Sequence, residues 1–207
     1  GVRDHLERFA AKYHFQFAGK QTEEVYNVIA PLPELNIDIP LKLTPFPYQK
    51  NGAAYALEKK KVIIGDEMGL GKTGQAIITI EGANAYPCLV ICPSSLKENW
   101  KREIEKWTIN RKGMILEDKV KTNFHRYYEA GLAQTFIVNY ESLKKYFVKS
   151  INKDSKKFTL KDVEFLPNIN FFKSVILDES HRVKSTSTLQ SKLSKGITKG
   201  KEWILAL

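Results

Sequence analysis

The chain has 207 residues, 43% hydrophobic and 27% charged, which is ample for a real core and excludes a disordered polymer. No apolar run approaches the ~20 residues of a membrane span, and the polar opening GVRDHLERFA does not read as a signal-peptide core. Lys+Arg 33 against Asp+Glu 23 leaves a net charge of +10, which suits a polyanionic partner, either nucleic acid or an anionic membrane surface.

Residues 1–30 mix aromatics with charges. Leu6, Phe9 and Tyr13 have helical spacing, and residues 14–17 and 25–29 are candidates for short strands. Five of the eight prolines then fall within residues 31–47. Proline fixes φ and removes a donor, so this stretch reads as an extended connector. A boundary near residue 40 follows. It separates an appendage of unassigned role, residues 1–40, from a larger unit, residues 41–207.

Beyond that boundary, short apolar runs at 62–65, 89–92, 136–139, 174–177 and 203–207 alternate with amphipathic or polar stretches. The runs are continuous, as in parallel strands buried on both faces. Helix signals lie at 48–59 and 72–85. Leu96, Trp100, Ile104 and Trp107 form an apolar stripe at helical spacing, with Ser95 and Glu98 as a capping box at its start. The alternation predicts an α/β fold: a mostly parallel sheet with helices on both faces. Cys88 and Cys92 would share one face of a strand about 13 Å apart, too far for a disulfide. They read as core hydrophobes in a reducing, intracellular compartment. Residues 144–161 are Lys-rich without strong periodicity and read as a surface insertion. The last apolar run has nothing after it, which reads as a piece of a longer chain.

The strongest local signal is the strand at 62–65 running into Asp66-Glu67-Met68-Gly69-Leu70-Gly71, then Lys72-Thr73 and a helix. Glycines let backbone N–H groups converge on phosphate oxygens, and the helix N-terminus adds partial positive charge. A lysine there can reach the β- and γ-phosphates, and a threonine hydroxyl can ligate Mg²⁺. Asp66 stands where the usual phosphate-loop pattern has glycine. The run at 174–177 ends in Asp178-Glu179. In such sheets ligands bind beyond the C-terminal ends of the strands, where Lys72 also lies. There Asp178 can hold Mg²⁺ through water and Glu179 can polarise an attacking water. Ser94 and Ser95, at another strand end, can bind phosphate or cap a helix. Asn139, Glu141 and Ser142 occupy a further strand end, with Ser142 also placed to cap a helix at Leu143. Two basic clusters follow. Lys144, Lys145, Lys149, Lys153, Lys156, Lys157 and Lys161 read as a solvated face or as a DNA contact. Arg182, Lys184, Lys192, Lys195, Lys199 and Lys201 have no acid among them, and a DNA-facing role is more natural there.

Asp66 to Thr73 together with Asp178-Glu179-Ser180-His181 resembles the Swi/Snf family of helicase-like ATPases in superfamily two, in which the loop commonly reads D-E-M-G-L-G-K-T. Residues 43–49, ending in Tyr48-Gln49, resemble the family's adenine-binding motif. Residues 89–96 followed by Asn99-Trp100, and residues 137–142, resemble its DNA-backbone motifs. The resemblance runs from about residue 41 to the end. It implies a RecA-like phosphate-loop NTPase lobe, with a second RecA-like lobe completing the ATP cleft. ATP and Mg²⁺ would be the cofactors, and double-stranded DNA the partner. Gln49 would select adenine, and residues 66–73 would hold the phosphates. Thr73 and Asp178 would hold Mg²⁺, with Lys72, Asp178 and Glu179 catalytic. Ser94, Ser95, Lys97, Asn139, Ser142 and Lys184 would face DNA, and His181 would couple the two sites. A strand-separating helicase, a restriction-enzyme motor and a non-catalytic nucleic-acid-binding module remain alternatives.

Overall fold

The contiguous apolar runs become the centre of one parallel sheet. The computed structural model describes residues 16–18, 38–65, 71–121, 123–152, 159–180 and 188–207. The strands are β1 (Gln16–Ala18), β2 (Lys61–Ile64), β3 (Cys88–Cys92), β4 (Gly113–Ile115), β5 (Thr135–Asn139), β6 (Val148–Ile151), β7 (Val163–Phe165), β8 (Ser174–Leu177) and β9 (Trp203–Ala206). The helices are α1 (Pro47–Lys59), α2 (Lys72–Ala83), α3 (Lys97–Trp107), α4 (Phe124–Glu129), α5 (Leu143–Phe147) and α6 (Leu189–Thr198).

Among the described residues, seven strands pair in the order β1-β2-β9-β8-β3-β5-β4. Every neighbouring pair in that sheet is parallel. The register aligns Ile63 with Ala206, Leu177 with Ala206, and Ile91 with Leu177. The residues that follow these strands, Gly65, Asp178 and Pro93, therefore emerge along one edge. Only β9 separates β2 from β8, so those two strand ends stand about 10 Å apart, two inter-strand spacings.

Side chains alternate across each strand, and the two faces fill separately. Cys88, Val90 and Cys92 join Val62, Ile64, Ile176 and Leu205 beneath α1, α2 and α3. Leu89 and Ile91 join Ile63, Phe136, Val175, Leu177 and Ala206 beneath α4, α5 and α6. An aromatic cluster anchors the second face. Phe124 stacks on Phe172 at 5.5 Å and meets Phe136 at 5.6 Å between ring centroids. The helices on both faces match the layering predicted from the strand–helix alternation. Both cysteines are free and buried, and they share a face. No described helix is long and apolar enough to cross a membrane.

The Lys-rich segment is not wholly a surface insertion. Leu143, Tyr146 and Phe147 of α5 are buried in the core, and β6 and β7 form a separate antiparallel pair. The core needs one face of α5, and the described lysines Lys144, Lys145, Lys149 and Lys161 are exposed. Residues 14–17 were candidates for a strand, and Gln16–Ala18 does pair with β2 at the sheet edge. The other strand candidate, residues 25–29, and the helical spacing of Leu6, Phe9 and Tyr13 lie outside the described residues.

Candidate active site

The phosphate-loop candidate joins β2 to α2. Asp66, Glu67, Met68, Gly69 and Leu70 lie outside the described residues. The loop is described again at Gly71, whose φ of 72° places it in the left-handed region as the N-cap of α2. Glycine suits this position twice over. It tolerates the dihedral, and a Cβ there would meet Gln49 Nε2 at 2.5 Å. Lys72 and Thr73 open the helix and are half-buried, beside the first turn's unsatisfied N–H groups.

Gln49 sits in the first turn of α1, which starts at Pro47, a residue whose fixed φ suits that position. The Gln49 side chain is only 3% exposed. Its Oε1 accepts from the Phe46 N–H at 3.0 Å, and its Nε2 donates to the Gly71 carbonyl at 3.4 Å. The residue expected to read adenine thus also ties α1 to the last glycine of the loop. Beside it, Phe46 and Tyr48 stack at 5.8 Å with planes 6° apart, and they are 63% and 41% exposed. Their separation by two residues at a helix start was a signal that the sequence reading did not use.

The acid pair follows β8. The Asp178 N–H donates to the Ile91 carbonyl at 2.8 Å, which extends the ladder by one residue. Its carboxylate is then held twice: Oδ1 accepts from the Glu179 N–H at 2.9 Å, and Oδ2 from Trp100 Nε1 at 2.6 Å. The Asp178 carbonyl accepts from the Tyr140 hydroxyl at 2.8 Å. Burial pushes the Asp178 carboxyl above its usual range, while the Trp100 and Glu179 N–H groups and the Lys72 charge act the other way. Glu179 has φ 53°, a left-handed conformation uncommon outside glycine. Backbone strain of this kind concentrates at functional sites. Ser180 donates from both its N–H and its hydroxyl to the Leu207 carbonyl, each at 3.0 Å, which ties the acid segment to the end of β9. Each Asp178 oxygen keeps a lone pair beyond its protein donor. That suits a hard cation held through water rather than an all-protein cage.

The two candidate backbone motifs end β3 and β5, which are neighbours in the sheet. Ser94 and Ser95 are exposed in a single 3₁₀ turn, and Lys97 begins α3 directly after it. The expected capping box of Ser95 and Glu98 does not form. The N-cap position is Leu96 and carries no side-chain bond, because the 3₁₀ turn delays the helix by one residue. At the end of β5, Ser142 donates to Asn139 Oδ1 and Asn139 Nδ2 donates to Glu141 Oε2, both at 2.8 Å. Ser142 occupies the N-cap position of α5 but makes no cap, since its hydroxyl is used by Asn139.

The basic clusters divide. Lys145 pairs with Asp118, and Lys149 with Glu164 at 2.7 Å, acids outside the run itself. Lys201 precedes β9 at the opposite edge of the sheet, is buried, and donates to the Ile169 carbonyl at 2.5 Å. A DNA-facing role for Lys201 beside the acid pair is therefore corrected by the strand direction. Lys153, Lys156, Lys157, His181, Arg182 and Lys184 lie outside the described residues.

Comparison with known proteins fits this geometry. A family model described as the SNF2-related domain matches residues 48–206. The human DNA annealing helicase and endonuclease ZRANB3 is 33% identical over 181 residues, which is 83% of this chain and 14% of that protein. The Saccharomyces cerevisiae ISWI chromatin-remodeling complex ATPase ISW1 is 31% identical over 73% of this chain and 13% of its own length. The solved Sulfolobus solfataricus SWI2/SNF2 ATPase core in complex with dsDNA superposes with a TM-score of 0.63 at 26% identity, over 84% of this chain and 34% of that one. The chain thus spans about a seventh of these curated relatives. With a parallel sheet, a glycine-ended loop opening α2, and Asp178-Glu179 one strand away, the chain belongs to the SNF2-related domain family.

Proposed function

We propose that this chain is the ATP-binding lobe of a DNA-stimulated ATPase that moves along double-stranded DNA. The observation that carries the reading is the convergence of Lys72, Thr73, Asp178 and Glu179 at one sheet edge, with only β9 between their strands. Gln49 and the stacked Phe46–Tyr48 pair offer an amide and a flat apolar surface beside Gly71, which suits a purine. Residues 66–71 would hold the phosphates, the α2 N-terminus would add N–H groups to them, and Lys72 would neutralise the β- and γ-oxygens. Mg²⁺ between Thr73 and Asp178 would supply the remaining charge neutralisation. Glu179 would orient and deprotonate the attacking water, and His181 would couple this site to DNA.

Ser94, Ser95, Lys97, Asn139, Ser142 and Lys184 are assigned to the DNA backbone. A DNA partner is supported by the chain's similarity to an annealing helicase, a chromatin-remodeling ATPase and an ATPase core solved with duplex DNA. A second RecA-like lobe, outside these residues, would supply an arginine finger and close the cleft. Residues 41–207 would make up the lobe, with residues 1–40 an appendage joined to it where β1 pairs with β2, in an intracellular protein.

The test is ATP turnover by the full-length protein with and without duplex DNA, alongside a strand-displacement assay. Duplex-stimulated turnover without displacement supports a translocase. Displacement of comparable rate supports the strand-separating alternative. The 207-residue chain alone should bind nucleotide weakly and hydrolyse almost none of it. Robust DNA-stimulated turnover by that piece would contradict the need for a second lobe.

A further inference from the structure

Asp178 has two partners that the phosphate loop does not explain, and they come from the two candidate DNA-backbone motifs. Trp100 lies in the first turn of α3, directly after the Ser94–Leu96 turn, and its indole N–H reaches the Asp178 carboxylate at 2.6 Å. Tyr140 opens the turn after β5, between Asn139 and Ser142, and its hydroxyl reaches the Asp178 carbonyl at 2.8 Å. The two donors thus come from the ends of adjacent strands and meet on one acid.

Neither contact is a surface accident. Trp100 is 1% exposed and Tyr140 5%. Burying an indole N–H or a phenol requires a partner, and for each the partner found is Asp178. A short bond from a neutral donor to a carboxylate is the stronger, charge-assisted kind. Burial, and then the charge of Asp178, keep the Tyr140 phenol well above its usual pKa, so it remains a neutral donor.

We propose that Trp100 and Tyr140 are positioning residues that carry the state of the two DNA-facing turns to the metal-holding carboxylate. The inference rests on the ATPase reading above. A phosphate seated on Ser94 or Ser95 bears on a turn that continues without a break into α3. A shift of that first helical turn moves the indole N–H and rotates the Asp178 carboxylate. At the neighbouring strand end, Ser142, Asn139 and Glu141 are bonded into one unit, so a contact at Asn139 or Ser142 moves Tyr140 with it. Its hydroxyl then shifts the Asp178 main chain. DNA contact and metal geometry are thus joined through two hydrogen bonds, without a change in the phosphate loop.

The experiment uses the full-length protein with ATP, Mg²⁺ and a blunt duplex. Trp100 is replaced by its benzothiophene isostere, which keeps the ring shape and lacks the N–H. Tyr140→Phe removes one oxygen. For each protein the Mg²⁺ midpoint of ATP turnover is measured with saturating and with no duplex, and thermal melting checks the fold. Loss of an outer-shell partner typically costs about tenfold or more in metal affinity or activity. The isostere should therefore raise the Mg²⁺ midpoint about tenfold. Mutations along a coupling route change coupling by about two- to thirtyfold. Both variants should accordingly lower the ratio of stimulated to basal turnover at least about threefold. Folded variants with wild-type midpoints and stimulation ratios would overturn the proposal and leave the ATPase reading standing. A midpoint shift with unchanged stimulation in both variants would also overturn the coupling. A wild-type protein with no Mg²⁺-dependent turnover would overturn the ATPase reading itself, and the coupling with it.

Discussion

Replacing Gly71 by alanine separates two effects at the loop's end. The residue has φ 72°, and an added Cβ would lie 2.5 Å from Gln49 Nε2. A left-handed alanine costs about 1–2 kcal/mol in the backbone alone. The contact is too short to persist, so the Gln49 amide must leave the Gly71 carbonyl and surrender a hydrogen bond with a net value of about 1 kcal/mol. Together these give about 2–3 kcal/mol. Gly131 provides the control, since it also has φ 72° and a Cβ there meets nothing within 4 Å. Gly131→Ala should therefore cost only the backbone part, about 1–2 kcal/mol. The assay is urea unfolding of each nucleotide-free variant, read as a midpoint shift at constant slope. Adding Gln49→Ala to Gly71→Ala should bring the incremental cost of the glycine change down to the Gly131 value. Equal costs at the two glycines, or no relief in the double variant, would refute the contact between Gln49 and the loop.

Phe124→Ala should destabilise the chain by about 3–5 kcal/mol, because it opens a cavity among Phe136, Phe171 and Phe172; a cost under about 1 kcal/mol by urea unfolding would refute that packing. Burial raises the Asp178 carboxyl in the folded chain, so the folded state holds its proton more tightly than the unfolded one. This group's contribution is therefore favourable at low pH and is lost as pH rises from the unfolded carboxyl's value, about 4, through the raised one. Without nucleotide, the stability of wild type relative to Asp178→Ala should fall across that window, and a rising difference would contradict it. Burial pushes the Cys88 and Cys92 thiols up to about 12, so neither should react with a disulfide reagent at pH 8 until the chain unfolds. Rapid labelling of either native thiol would place it outside the core.

The central strands were legible because a parallel sheet covered on both faces needs unbroken apolar runs, as in residues 174–177. The phosphate-loop candidate was legible because Gly71-Lys72-Thr73 must sit between a strand and a helix. The edge strand β4 has only three residues, and Ser, Thr and Gly dilute the helical signal of α6. The capping box at Ser95 failed for a local reason, a 3₁₀ turn that sequence spacing does not distinguish from the first turn of an α-helix. The Asp178 partners were hidden for a non-local one. Trp100 read as part of an apolar stripe, and it is, but its N–H needed an acceptor that lies 78 residues away in sequence. A tryptophan buried on an apolar stripe carries such a demand in its own chemistry. That demand shows that a partner must exist without showing which one.

The central claim is that Glu179, beside Asp178 and one strand from Lys72, activates the water that attacks ATP. Its most direct test is steady-state ATP hydrolysis by full-length wild type and Glu179→Gln at saturating duplex DNA, with ATP binding measured on the same samples. Loss of a general base typically removes about 10²–10⁴-fold of rate. The account predicts a fall of at least about a hundredfold in turnover with ATP binding retained. Unchanged turnover by a folded, ATP-binding Glu179→Gln protein would contradict it.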